Sequence, residues 1–171
     1  VDGHKGTFGH VLLVVGSEGK TGAVALAALG AARGGAGRVT VACPAGLNDI
    51  LEVKCTEAMT APVADTPERA FAAAADEALL ELAAERDVVG MGAGVGRSRE
   101  TLSLMRALAR RIERPLVIDA DGLLALGRGP QALSAREAPT ILTPHPGEAA
   151  MLLGCLPSEV NRDRVAAARS L

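Results

Sequence analysis

An α/β fold with a mostly parallel sheet follows from three features of the sequence. Short apolar runs rich in Val, Leu and Ile alternate with segments of helical composition along the chain. Several runs are continuously apolar instead of alternating, the pattern of strands covered on both faces. Glycine, proline or aspartate closes the runs before the next helical segment, as successive βαβ units require.

The 171 residues suit one domain, 1–171. An apolar fraction of 49% with 22% charged residues lets an ordinary globular core form. Phe8 and Phe71 are the only aromatic residues, so that core must be aliphatic and no stacking platform for nucleic acid exists. A formal charge of −2 gives no footprint for a polyanion. Anionic small molecules can still be held by backbone amides. Neither a signal peptide nor a membrane-length apolar run is visible, which predicts a cytoplasmic protein without membrane or nucleic-acid partners. The chain begins at Val1 without Met, leaving room for a leader or a preceding domain. Cys43, Cys55 and Cys155 lack pairing spacing and read as packing residues of a reducing compartment.

In order, residues 11–15 read as a buried strand, 16–22 as a glycine-rich turn and 23–33 as a helix stopped by Gly34-Gly35-Ala36-Gly37. Residues 38–42 form the next strand, completing a βαβ unit of right-handed preference. A short helix near 48–51 and a strand near 58–61 follow. Thr66-Pro67 has the form of a cap and first helical residue, predicting a long helix over 66–85. Residues 87–91 are a strand, and Ser98 caps a helix to about 112 whose last turn carries Arg110 and Arg111. Residues 115–119 form a strand, with helical turns at 123–126 and 130–133. Residues 140–143 read as a buried strand, followed by helices over 148–153 and from 158 onward. The last helix has neither a capping glycine nor a following strand, as if a βα unit were cut.

Four features carry chemistry. Thr143-Pro144-His145-Pro146-Gly147-Glu148 is a rigid strand–loop–helix elbow, because its prolines forbid both sheet pairing and an immediate helix. It presents His145 and Glu148 at a strand's carboxyl end, where ligands bind in open α/β sheets. Gly16-Ser17-Glu18-Gly19-Lys20-Thr21 lacks the spacing of a Walker loop but can still hold an anion or line a ligand groove. Gly92-Ala93-Gly94-Val95-Gly96 has GxGxG spacing, short of the dinucleotide fingerprint, and implies close approach by something bulky, with a ligand favoured. With Asp119 at the next strand end, it keeps a nicotinamide-dependent oxidoreductase open as a reading. Asp119 and Asp121 reach the same edge and could organise magnesium or loop amides. No metal-ligand cluster is evident, and His4, His10 and Arg162-Asp163-Arg164 read as solvated surface or local salt links.

Taken together, His4-Lys5-Gly6…Gly9, Gly16-Ser17…Gly22-Ala23, the Gly92 turn with Asp119-Ala120-Asp121, and the elbow resemble the ADP/ATP-dependent NAD(P)H-hydrate dehydratases. These belong to the ribokinase-like superfamily. The resemblance implies a ribokinase-like α/β/α sandwich with a mostly parallel central sheet, incomplete in this chain. It implies ADP or ATP as phosphoryl donor with Mg2+, NAD(P)H hydrate as substrate, and a homotetramer. In that family a nucleotide phosphorylates the hydroxyl of the damaged ring, and phosphate then leaves, pushed by the ring nitrogen's lone pair. Carried across, Ala23, Gly92, Gly94, Gly96 and His145 look like substrate contacts. Asp119, Asp121 and Glu148 would organise phosphate and magnesium. Two departures stand out: Ala93 replaces a usual proline, and Lys20-Thr21 replaces a frequent aromatic site. The family's Gly-x-Gly-Asp base is not in the sequence, so these residues alone are expected to be inactive. In some relatives an epimerase domain precedes this region. Alternatives are a superfamily kinase for a hydroxyethylthiazole or hydroxymethylpyrimidine alcohol, or a non-catalytic dinucleotide-binding fragment.

Overall fold

The computed structural model describes residues 3, 6–128 and 133–171. Its strands in chain order are β1 (His10–Val14), β2 (Arg38–Pro44), β3 (Met59–Val63), β4 (Val88–Met91), β5 (Leu116–Ile118) and β6 (Thr140–Leu142). They form one sheet in the order β3-β2-β1-β4-β5-β6, with every neighbouring pair parallel. The chain therefore builds outward from β1 to β3, returns, and builds the other way from β4 to β6. The β1/β4 junction is the topological switch point, the place where a doubly wound sheet opens a crevice at its carboxyl edge.

The helices are α1 (Thr21–Arg33), α2 (Asn48–Lys54), α3 (Asp76–Ala84), α4 (Arg99–Arg111), α5 (Asp121–Leu126), α6 (Pro146–Leu153), α7 (Pro157–Arg162) and α8 (Arg164–Ser170). The two-residue period of β1 divides its side chains between two cores. Leu13 and Val15 pack with Val24 and Ala28 of α1 and Leu51 of α2. Leu12 and Val14 pack on the other face with Leu79 of α3 and Leu104, Met105 and Leu108 of α4. α4 buries Thr101, Leu104, Met105, Leu108 and Ala109, one stripe at helical spacing, and its Ser98 cap accepts from Thr101 N at 3.1 Å. A third cluster joins Ala149 and Ala150 of α6 to Val160 of α7. Among the described residues no helix is long and apolar enough to cross a membrane.

Most strands and helices fall within a few residues of their predicted places, but four expectations change. The long helix from 66 is replaced by a reverse turn. Arg69 N donates to Thr66 O at 2.9 Å, Asp65 and Phe71 bridge antiparallel, and a 3-10 turn at Ala73–Ala75 leads into α3. Pro67 suits the second position of a turn as well as the first of a helix. The fully buried Phe71 decides the matter, its carbonyl accepting from Thr101 Oγ1 at 3.0 Å. The strand at 140–143, expected to be buried, is only partly so: Thr140 and Leu142 are half-buried and Ile141, which points to the opposite face, is 59% exposed. His10 is buried, with Nε2 2.8 Å from Thr40 Oγ1, where solvated surface was expected. The last predicted helix is two short ones, broken at Asp163, whose carboxylate caps α8 by accepting from Ala166 N at 2.9 Å. Cys43 and Cys55 are buried free thiols, and burial pushes Cys43 up to about 11. His4, Lys5 and most of the turn expected at 130–133 lie outside the described residues.

Candidate functional site

Strands β1, β4, β5 and β6 end at one sheet edge, and the predicted site residues lie in the turns and first helical residues that follow them. Ala23 is in the first turn of α1, its N–H bonded to Lys20 O at 3.1 Å. The turn before it is locked to the turn after β4. Gly16 N donates to Ala93 O at 3.0 Å and Ser17 Oγ donates to Gly94 O at 2.8 Å. The two glycine-rich segments, 76 residues apart when measured from Gly16 to Gly92, are thus one structural unit at the switch point.

Gly92 shows what its close approach is for. At φ +111°, a Cβ there would lie 2.2 Å from Asp119 O and 2.6 Å from Gly122 Cα. The neighbour that demands this glycine is the backbone of the β5–α5 turn, not a ligand. Gly94 likewise admits the Cβ atoms of Lys20 and Ala23, which a new Cβ would meet at 3.1 and 3.3 Å. Beside them Ala120 holds φ +51° and ψ −121°, a conformation that costs a non-glycine residue about 1–3 kcal/mol. The surrounding packing imposes it, as Gly122 N closes the turn onto Asp119 O at 2.9 Å.

Asp121, buried at the start of α5, ties three turns together. Its Oδ2 accepts from Lys20 Nζ at 3.0 Å and Gly96 N at 3.1 Å, and its Oδ1 accepts from Arg97 Nε at 2.9 Å. Burial pushes this carboxyl upward, but the bonds from Arg97, Lys20 and Gly96 outweigh it and hold the group below its ordinary value. Asp119 is turned toward β6, its Oδ1 accepting from Thr143 Oγ1 at 2.8 Å.

The elbow after β6 owes its rigidity to a reciprocal cap. His145 Nδ1 accepts from Gly147 N at 3.0 Å and Glu148 N at 3.3 Å, while Glu148 Oε2 accepts from His145 N at 2.9 Å. Accepting at Nδ1 places the ring proton on Nε2, 3.3 Å from Glu148 Oε1. The His145 side chain is nonetheless 68% exposed and open to a ligand. Both oxygens of Glu148 are engaged by His145, and both oxygens of Asp121 by cations. Among the described residues no group of three His, Cys, Asp or Glu side chains could hold a metal ion. As placed, Asp119, Asp121 and Glu148 do not fit a magnesium ion of their own.

Arg97 is a charged residue that the sequence did not mark, and Lys20 was marked only as part of its glycine-rich turn, without a role of its own. Their signal was their place beside the two glycine turns; their common partner, 101 and 24 residues away, had no sequence signal. A separate groove of about 710 Å³ lies beside β6, lined by Leu133, Leu142, Pro144 and Leu171 among others, and takes in none of the predicted site residues.

Residues 11–171 match the carbohydrate-kinase family model described as NAD(P)H-hydrate dehydratase. A bifunctional NAD(P)H-hydrate repair enzyme of Moorella thermoacetica is 45% identical over 163 residues, covering 95% of this chain and 31% of that protein. The ADP-dependent (S)-NAD(P)H-hydrate dehydratase of Neisseria meningitidis is 38% identical, covering 99% of this chain and 54% of its own length. The chain thus spans about a third to a half of these curated relatives. A Bacillus subtilis ADP/ATP-dependent NAD(P)H-hydrate dehydratase co-crystallised with ATP/Mg2+ superimposes with a TM-score of 0.74 at 26% identity, covering 98% of this chain and 55% of that one. A hypothetical protein from Streptococcus mutans gives 0.78 at 30% identity, covering 99% and 56%.

Proposed function

Because this chain belongs to the NAD(P)H-hydrate dehydratase family, we propose that it supplies the substrate-facing part of an enzyme that returns NAD(P)H hydrate to NAD(P)H. ADP or ATP, carrying Mg2+, is the phosphoryl donor. The observation that carries this reading is that Ala23, the Gly92 turn, Asp119, Asp121 and the His145–Glu148 elbow follow four neighbouring strands at one sheet edge. A dinucleotide laid along that edge would meet Ala23, the turn that Gly92, Gly94 and Gly96 shape, and His145. The phosphate-bearing end would lie toward Asp119, Asp121 and Glu148, which hold Thr143, Lys20 with Arg97, and the His145 cap in place.

The chemistry asks little of the protein beyond position and charge. The ring hydroxyl attacks the donor's terminal phosphoryl group, and phosphate then departs as the ring nitrogen's lone pair forms the new double bond. Such transfers are accelerated chiefly by alignment and charge stabilisation at a water-poor site. The Gly-x-Gly-Asp aspartate that would take the hydroxyl proton is not among these 171 residues. The chain alone should therefore bind without turning over.

The protein is cytoplasmic and a homo-oligomer, a tetramer, on the same reading. The support for assembly is α1, which is apolar almost all round. Its Leu26 is 74% exposed, and Val53 of α2 is 77% exposed. The test is hydrated NADH with ADP or ATP, followed by the absorbance of regenerated NADH. The longer natural protein carrying this chain is expected to turn it over and the 171-residue chain is not. A longer protein that leaves the hydrate untouched but phosphorylates a hydroxyethylthiazole alcohol would replace this reading with a kinase.

A further inference from the structure

Asp121 is one carboxylate serving two cations. Lys20 Nζ and Arg97 Nε sit at 3.0 and 2.9 Å on its two oxygens, and Gly96 N adds a third donor at 3.1 Å. The cluster therefore carries one uncompensated positive charge. A pair built only for stability needs one cation per carboxylate, since each ion removed from water costs free energy that its partner must offset. Here the carboxylate is saturated while the cations are not. The Lys20 and Arg97 side chains are 42% and 75% exposed. Arg97 engages through Nε, so the outer Nη1 and Nη2 nitrogens have no carboxylate partner among the described residues.

The position adds to this. Lys20 ends the turn after β1 and Arg97 follows the turn after β4, so the surplus charge stands over the switch point between the two halves of the sheet. The two turns are tied together by Gly16 N to Ala93 O and Ser17 Oγ to Gly94 O, and both cations are held on Asp121, which sets their spacing before any ligand arrives. Pre-set donors lose little entropy on binding.

We propose that Lys20 and Arg97, positioned by Asp121, form an anion-binding pair that takes a phosphate or pyrophosphate group of the ligand at the switch point. Asp121 is then a positioning residue that aims two cations, not a ligand of magnesium. The pair as an anion site stands on its own geometry; that its ligand is nucleotide-like rests on the function proposed above. The group could come from the pyrophosphate of the dinucleotide or from the phosphates of the donor, and the arms of one experiment separate them.

Calorimetric titration of the chain with inorganic pyrophosphate, NADH and ADP would be run on the wild type, Lys20→Met, Arg97→Gln and the double variant. Circular dichroism and urea unfolding would verify that each remains folded. The expected result is salt-sensitive pyrophosphate binding that weakens several-fold in each single variant and about tenfold or more in the double variant. Parallel weakening of NADH alone assigns the pair to the dinucleotide, and of ADP alone to the donor. Wild-type chain that does not bind pyrophosphate, or a double variant that binds all three probes as tightly as wild type, overturns the proposal. Loss of pyrophosphate binding in the double variant of a protein whose longer form ignores hydrated NADH would uphold the pair and sink the function proposed above.

Discussion

At the amino end of the sheet, buried His10 and Thr40 face each other across β1 and β2, ring nitrogen to hydroxyl at 2.8 Å. Asp87 accepts from His10 N at 2.7 Å. Three strands away, beside β6, Arg136 spreads its guanidinium over the carbonyls of Ala109, Ile112 and Arg114, closing the end of α4, and reaches Thr140 Oγ1 at 2.8 Å. At the carboxyl end, Lys20 and Arg97 share Asp121, Ala120 sits in a strained conformation, and His145 is exposed beside its own cap. The same residue types are present at both ends. At one end Arg136 is spent on main-chain carbonyls and burial holds His10 below its ordinary value; at the other, cations outnumber the carboxylate they share. A fold can turn one edge's polar groups onto its own backbone and leave cations open at the other because the carboxyl edge is where its glycine turns gather.

That contrast can be broken first at Gly92. Gly92→Ala drives a Cβ into Asp119 O and Gly122 at a φ that alanine resists, so the loss should be on the order of 4 kcal/mol. Urea unfolding would measure it, and a loss below about 1 kcal/mol would show that the turns can separate. Asp121→Ala comes next, at about 2 kcal/mol for two charge-assisted bonds and one backbone bond, softened by the exposure of both cations. Because Asp121's carboxyl is held low in the folded state, its contribution is complete above the unfolded carboxylate range and is lost as acid protonates it. The variant should therefore unfold with a shallower acid dependence.

At the amino end, Thr40→Val should cost about 1 kcal/mol by removing the partner of a buried ring. His10 is pushed below its ordinary value by burial first, then by Arg86 and Arg38, against the opposing pull of Asp87. The unfolded chain therefore binds the proton more readily. Stability should be complete above about pH 6.5 and decline as pH falls below it. His10→Gln should flatten that slope, and an unchanged slope would mean that another group carries it. The smallest effect belongs to His145→Ala, which removes an N-cap for about 1 kcal/mol or less. His145→Asn should restore stability, and binding of NADH by the two variants would separate the cap from any ligand contact.

The two edges were not equally legible. Pro144, Pro146 and Gly147 announce the elbow because their restrictions are local, and the glycine turns announce themselves for the same reason. Nothing local distinguishes His10 from a surface histidine: its burial depends on Thr40, 30 residues away. Thr66-Pro67 had the chemistry of a helix start and became a turn, because burying Phe71 outweighs a cap that a turn satisfies equally well. The partial burial of β6 was also hidden, since an apolar triplet reads alike whether one face or both are covered.

By itself, then, the sequence determined where strands, turns and most helices lie, and that the Gly16 turn, the Gly92 turn, Asp119 and the elbow belong to strand ends. Backbone restriction and apolar period act over a few residues, so those placements needed no partner. The tertiary structure decided which turns touch, that Gly92 accommodates main chain, and that Asp121 gathers Lys20 and Arg97. Those depend on the strand order, which sets β1 against β4 and brings residues 101 positions apart within 3.0 Å.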